Sequence, residues 1–136
     1  MRTIGKLMAI SLLGIGAAGQ APAQSAEIGK TLYMTYCAAC HGETAKGDGD
    51  MASVMTIPAT NLTLLAKKND GTFPMLKVIH IIDGRTGIRA HGGPMPIFGQ
   101  TFSDTHDQAQ PGDYTAVLET RGRILSLAMY LETLQQ

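Results

Sequence analysis

The chain has 136 residues, 44% hydrophobic and 16% charged, a balance that suits one globular domain and excludes a disordered polymer. Its 11 lysines and arginines equal its 11 aspartates and glutamates, so it lacks the cationic excess that displaces counterions from phosphates, and no nucleic-acid partner is expected. With 4 Tyr, 3 Phe and no Trp, large core-filling side chains are scarce, which leaves room for a bulky apolar group at the centre.

Arg2 and Lys6 give a short basic start, residues 7–18 are uncharged, and Ala21-Pro22-Ala23 offers the small-x-small pattern read by a signal peptidase. This reads as a secretory signal peptide cleaved near Ala23, dividing the chain into a leader, residues 1–23, and one domain, residues 24–136. The uncharged run, interrupted by Gly14 and Gly16, falls well short of the roughly 20 residues that span a bilayer. No later apolar run is long enough either, so no transmembrane segment is expected after cleavage. Losing Arg2 and Lys6 turns a neutral chain mildly acidic.

Ser25 is a plausible N-cap and Glu27 suits a first turn, while Ile28, Leu32 and Tyr36 recur every four residues. This predicts a first helix. Gly29, Tyr33 and Cys37 form a second row, in which the glycine lets another helix come close.

Both cysteines lie in Cys37-Ala38-Ala39-Cys40, and His41 follows at once. Export permits a disulfide or redox pair, but a redox C-x-x-C belongs beside a βαβ pattern and nothing here alternates like strands. Zinc needs four ligands, and His41, His80, His91 and His106 contain no H-x3-5-H pair. Two cysteines three apart on a helical turn point the same way, so both sulfurs can bond the two vinyl groups of one porphyrin, with the adjacent histidine beneath its iron. C-x-x-C-H is the attachment signature of c-type haem. The expected cofactor is one covalent haem c.

Downstream, Asp48-x-Asp50 hints at a calcium loop, but Ser53 and Ala59 stand where that loop needs glycine and glutamate, so calcium is rejected. Residues 60–68 suit a short helix capped by Thr60 or Asn61, and Thr72 with Pro74 marks another running to Asp83 and ended by Gly84. Residues 42–50 and 88–99, rich in glycine and proline, read as loops over the haem faces. Residues 101–112 read as a polar loop, after which Asp113 can cap a last helix that Gly122 can kink. Ile124, Leu127, Leu131 and Leu134, with Tyr130 beside them, make an apolar stripe at helical spacing, and the two terminal helices are expected to cross.

At this point the chain resembles the class I monohaem cytochromes c over residues 28–135. The likeness rests on Cys37-x-x-Cys40-His41-Gly42, Gly47-Asp48-Gly49, Met95-Pro96-Ile97-Phe98-Gly99 and the terminal Leu127-Ala128-Met129-Tyr130-Leu131, in that order. Small exported bacterial cytochromes also carry counterparts of Ile82-Asp83-Gly84-Arg85 and Ala90-His91-Gly92. Asp50 stands where many relatives have proline, and Phe98 where tryptophan is expected. The resemblance implies an all-α cytochrome c fold wrapped around one haem, with Gly29 and Tyr33 set against Leu127 and Tyr130. It further implies a monomeric periplasmic electron carrier, not an enzyme, working between a redox donor and acceptor such as a dehydrogenase or oxidase. Two rival readings are a haem enzyme or gas-binding protein with an open distal site, and a haem subunit docked on a dehydrogenase or oxidase.

The second axial ligand decides between the electron carrier and the open distal site. Methionines 34, 51, 55, 75 and 129 sit in or beside helical patterns as core fillers, whereas Met95 lies in a loop between Pro94 and Pro96, whose rings restrict the backbone. Position and family pattern agree on His41 and Met95 as the axial pair. A thioether opposite a histidine favours ferrous iron, and a filled coordination shell leaves no room for substrate. His91 is the rival ligand, while His80 and His106 read as ordinary. Arg85 and Arg89 are candidates for the haem propionates, which suit a guanidinium fork. Pro58 is the candidate carbonyl to orient the His41 ring.

Overall fold

The computed structural model describes residues 20–85, 95–103 and 114–136. Among these are α1 (Gln20–Tyr36), α2 (Ala38–His41), α3 (Met75–Asp83), α4 (Phe98–Ser103) and α5 (Thr115–Thr133), with short 3₁₀ turns at Asp50–Val54, Leu62–Leu64 and Lys67–Asn69 and no strand. The fold is all-α, as the sequence predicts.

The terminal helices cross. Gly29 is buried at the crossing, where a Cβ would lie 1.9 Å from the Ser126 carbonyl oxygen and 2.8 Å from the Tyr130 Cβ. Only a hydrogen side chain lets the backbones approach that far. Its nearest partner is therefore the Ser126 main chain, one residue short of Leu127. One turn on, the Tyr33 and Tyr130 rings pack with centroids 5.5 Å apart. Tyr33, Phe102 and Leu127 are the largest fully buried side chains, and Ile124, Ala128 and Leu131 continue the α5 stripe into the same core.

Ser25 lies inside α1 rather than at its cap, because the helix begins at Gln20. Alanine and glutamine favour a helix there, and proline is tolerated in a first turn. The expected cleavage position, after Ala23, falls in that first turn. Residues 60–68 form two 3₁₀ turns instead of one helix, with Asn61 as the cap: its side-chain oxygen accepts from the Thr63 amide at 2.9 Å. Gly84 does end α3, in the left-handed conformation that lets its amide reach the His80 carbonyl.

Of the expected loop over residues 88–99, residues 88–94 lie outside the described residues, and Phe98 and Gly99 belong to α4, which Phe98 opens. Phe98 and Phe102, four apart, bury one face of that helix against Tyr36, whose ring lies 6.1 Å and 5.3 Å from theirs. Arg123 of α5 covers the Phe102 ring and pairs with Glu119. α5 starts after Tyr114 and runs unbroken through Gly122, while the Asp113 cap and the remainder of the polar loop lie outside the described residues. The Gln135 side chain ties the end of α5 to the 3₁₀ segment, donating to the Leu62 carbonyl and accepting from the Ala66 amide, each at 2.9 Å. Met34 and Met51 are exposed, so neither fills the core. No described helix is long and apolar enough to cross a membrane.

Candidate functional site

The α1 helix runs into the cysteine motif without a change of hand. The Cys37 amide donates to the Tyr33 carbonyl at 2.8 Å, and the Cys40 and His41 amides return to the Cys37 carbonyl at 3.2 and 2.9 Å. That turn brings Cys37, Cys40 and His41 onto one cavity of about 450 Å³, a size typical of a pocket for a large ligand. Tyr33, Leu127 and Leu131 from the helix crossing, Val78 and Ile82 from α3, and Leu62 and Leu65 from the 3₁₀ segment give it apolar walls. Met95 and Pro96 close it from a segment far along the chain. Four of the six predicted site residues, Cys37, Cys40, His41 and Met95, are thus gathered around one space.

His41 is held by its ring. A carbonyl can only accept, so His41 Nδ1 donates to the Thr60 carbonyl oxygen at 2.9 Å, leaving the Nε2 lone pair unprotonated. The orienting carbonyl is Thr60, not Pro58. The glycines before it explain how the chain gets there: Gly47 has φ +88°, and a Cβ on it would lie 2.3 Å from the Ala59 carbonyl oxygen. Its amide donates to the His41 carbonyl, and the Leu62 amide donates to the Ala45 carbonyl, both at 2.8 Å. The loop therefore folds back onto the attachment turn and fixes residues 59–62 beside the imidazole. No side-chain pattern announces a main-chain carbonyl, so the sequence could not single out Thr60.

Burial pushes the Cys37 thiol up to about 12, with Cys40 adding to it. Tyr33 sits behind the motif, its hydroxyl donating to the Gly42 carbonyl at 2.6 Å. Burial raises its phenol well above the ordinary value.

Arg85 does not line the cavity. The left-handed turn at Gly84 carries it to the surface, where it pairs with the carboxylate of Asp83. Arg89 and His91, and with them Pro94, lie outside the described residues, as does His106. His80 is half-buried on α3, away from the cavity. Two residues to which the sequence assigned other roles also line the space: Met55, read as a core filler and here a second thioether, and Thr60, read as a candidate helix cap.

Two sulfurs on one helical turn, an imidazole with a free lone pair and a thioether on a separate segment, all facing an apolar cavity, fit a covalently bound haem. A family model described as Cytochrome c matches residues 26–116. The chain belongs to the cytochrome c family, small class I c-type cytochromes with the all-α cytochrome c fold. Its cofactor is covalently bound haem c and its chemistry is haem-based electron transfer with redox partners. Searches among curated proteins and among solved structures find no significant match.

Proposed function

We propose that the protein is a periplasmic electron carrier that passes single electrons between larger redox proteins, exported by residues 1–23 and working as residues 24–136, with His41 and Met95 as the axial pair and no substrate of its own. The observation that carries this reading is the convergence of Cys37, Cys40, His41 and Met95 on one apolar cavity.

Bound haem supplies one-electron chemistry at its iron. Cys37 and Cys40 fix it in place as thioethers. His41, locked by the Thr60 carbonyl, presents Nε2 in one orientation, and the hydrogen bond raises the basicity of the ring. Met95 offers a soft sulfur that favours the ferrous state. The apolar walls exclude water and disfavour the additional charge of the oxidised state, which raises the potential in the same direction.

Optical spectra of the purified protein in both oxidation states test the reading. The expected result is a low-spin, six-coordinate spectrum with the weak far-red sulfur-to-iron band when oxidised, and no uptake of carbon monoxide when reduced. Ready binding of carbon monoxide by the wild type, with that band absent, would replace the carrier by a haem enzyme or gas-binding protein with an open distal side.

A further inference from the structure

Lys68 and Lys77 are cationic side chains on the wall of a cavity whose lining, among the described residues, contains no aspartate or glutamate. They come from different elements, the 3₁₀ turn at Lys67–Asn69 and α3, yet reach the same space. Neither forms an ion pair with any described residue. Both residues are exposed overall and yet line the cavity, as suits a side chain with an apolar stem and a charged head that stays in water. Asn69, next to Lys68 in sequence, lines the same space; its side-chain Nδ2 donates one hydrogen to the Thr72 carbonyl at 2.8 Å and retains a second.

A haem bears two propionate carboxylates on one edge; of the two guanidinium groups expected to meet them, Arg85 is bound to Asp83 outside the cavity, and Arg89 lies outside the described residues. Two carboxylates at the rim of an apolar pocket are stabilised by donors and countercharge there, because the low-dielectric wall beside them strengthens their attraction to nearby cations. The cavity supplies two ammonium groups and one amide for that purpose. We infer that Lys68, Lys77 and the Asn69 side chain form the propionate subsite of this cytochrome. This assignment rests on the haem-carrier reading above. The lysines are positioned as point charges at the rim rather than as a fork, so they neutralise the propionates while leaving that edge of the cofactor near solvent.

The subsite also affects the iron. Removing a positive charge next to the haem, and leaving a propionate less compensated, both stabilise the oxidised state. Lys68→Met and Lys77→Met in the holoprotein should each lower the reduction potential and shift the propionate bending bands in the resonance Raman spectrum, and the double variant should shift both further. Lys77→Arg should restore most of the potential. Lys46→Met, an exposed lysine that does not line the cavity, should change neither reading. Unchanged propionate bands and potential in the double variant, with covalent haem and axial spectrum intact, would overturn the subsite and leave the carrier reading standing. Equal shifts from Lys46→Met would overturn it also, as a general surface-charge effect. A wild-type protein without covalent haem would remove both.

Discussion

His41 Nδ1 donates to the Thr60 carbonyl oxygen across 2.9 Å, between residues 19 positions apart, and the intervening loop is folded so tightly that Gly47 cannot carry a Cβ without meeting Ala59. The orientation of the imidazole therefore depends on a glycine that never touches it. Gly47→Ala places a side chain at positive φ, a strain of about 1–3 kcal/mol, and pushes the backbone next to Thr60. The expected outcome is a less stable holoprotein with a raised reduction potential, because a weakened hydrogen bond makes the histidine a poorer donor to the oxidised iron. Denaturant titration and potentiometry check the two halves. A variant with wild-type potential would disconnect Gly47 from the imidazole.

Met55 and Met95 both line the cavity, so the choice of axial thioether must be tested between them. Met55 belongs to the segment that also supplies the Thr60 carbonyl to His41, whereas Met95 arrives with Pro96 and α4. Met95→Ala should abolish the far-red band, lower the potential and open the reduced iron to carbon monoxide. Met55→Ala should leave all three unchanged. The reverse pattern would transfer the role to Met55, and a spectrum with two nitrogen ligands in the wild type would make His91→Ala the next variant to examine.

The cavity also predicts how the protein behaves before its cofactor is attached. Without the cofactor, the apolar walls of a space of about 450 Å³ would face water at the centre of a small core, so the native state loses burial that is the main favourable contribution to folding, together with the stabilisation that binding confers. Cys37→Ser with Cys40→Ser, which prevents attachment, should yield a chain with little helical circular dichroism. Native-like helicity in that variant would show that the helices support one another without haem.

Much of this was legible in advance because the attachment signature is local and the terminal helices carry periodic apolar faces. The Gly29 row and the stripe from Ile124 to Leu134 are i, i+3, i+4 patterns, and patterns of that kind persist whatever the rest of the chain does. What escaped was set by tertiary context. α4 is only one and a half turns long, too short for periodicity to register, and is held by Phe98 and Phe102 packing on Tyr36. Residues 60–68 break into 3₁₀ turns because the segment is tied at several points, to Ala45, Gln135 and His41, in place of continuing its own helical ladder. Arg85 has the right chemistry for a propionate, but Asp83, two residues away, holds it at the surface.

Two glycines on the terminal helices should respond in opposite directions to the same kind of change. Gly29→Val inserts atoms where a Cβ alone would lie 1.9 Å from the Ser126 oxygen, so the helices must separate, with an expected loss of about 3 kcal/mol or more. Gly122 lies in the interior of α5, exposed, with nothing within 4 Å of a Cβ position. Gly122→Ala should stabilise the fold by roughly 0.5–1 kcal/mol through the helical preference of alanine alone. Thermal or chemical denaturation of the holoproteins compares them directly, and destabilisation by Gly122→Ala would mean that the face is covered in solution.

Tyr33 makes the protein sensitive to alkali. Its hydroxyl, buried behind the attachment turn, donates to the Gly42 carbonyl at 2.6 Å, and burial raises its phenol well above the ordinary value. The native state therefore keeps the proton at a pH where the unfolded chain, with its phenol near about 10, releases it. Above that pH the unfolded state binds fewer protons than the native state, so stability falls as pH rises; below it, the contribution is fully present. Tyr33→Phe removes the hydrogen bond, at about 1 kcal/mol near neutral pH, and also removes the proton release. The variant should start lower and decline less steeply between pH 9 and the alkaline transition, as read from denaturation midpoints across that range. Parallel curves for the two proteins would show that Tyr33 does not govern the alkaline limit.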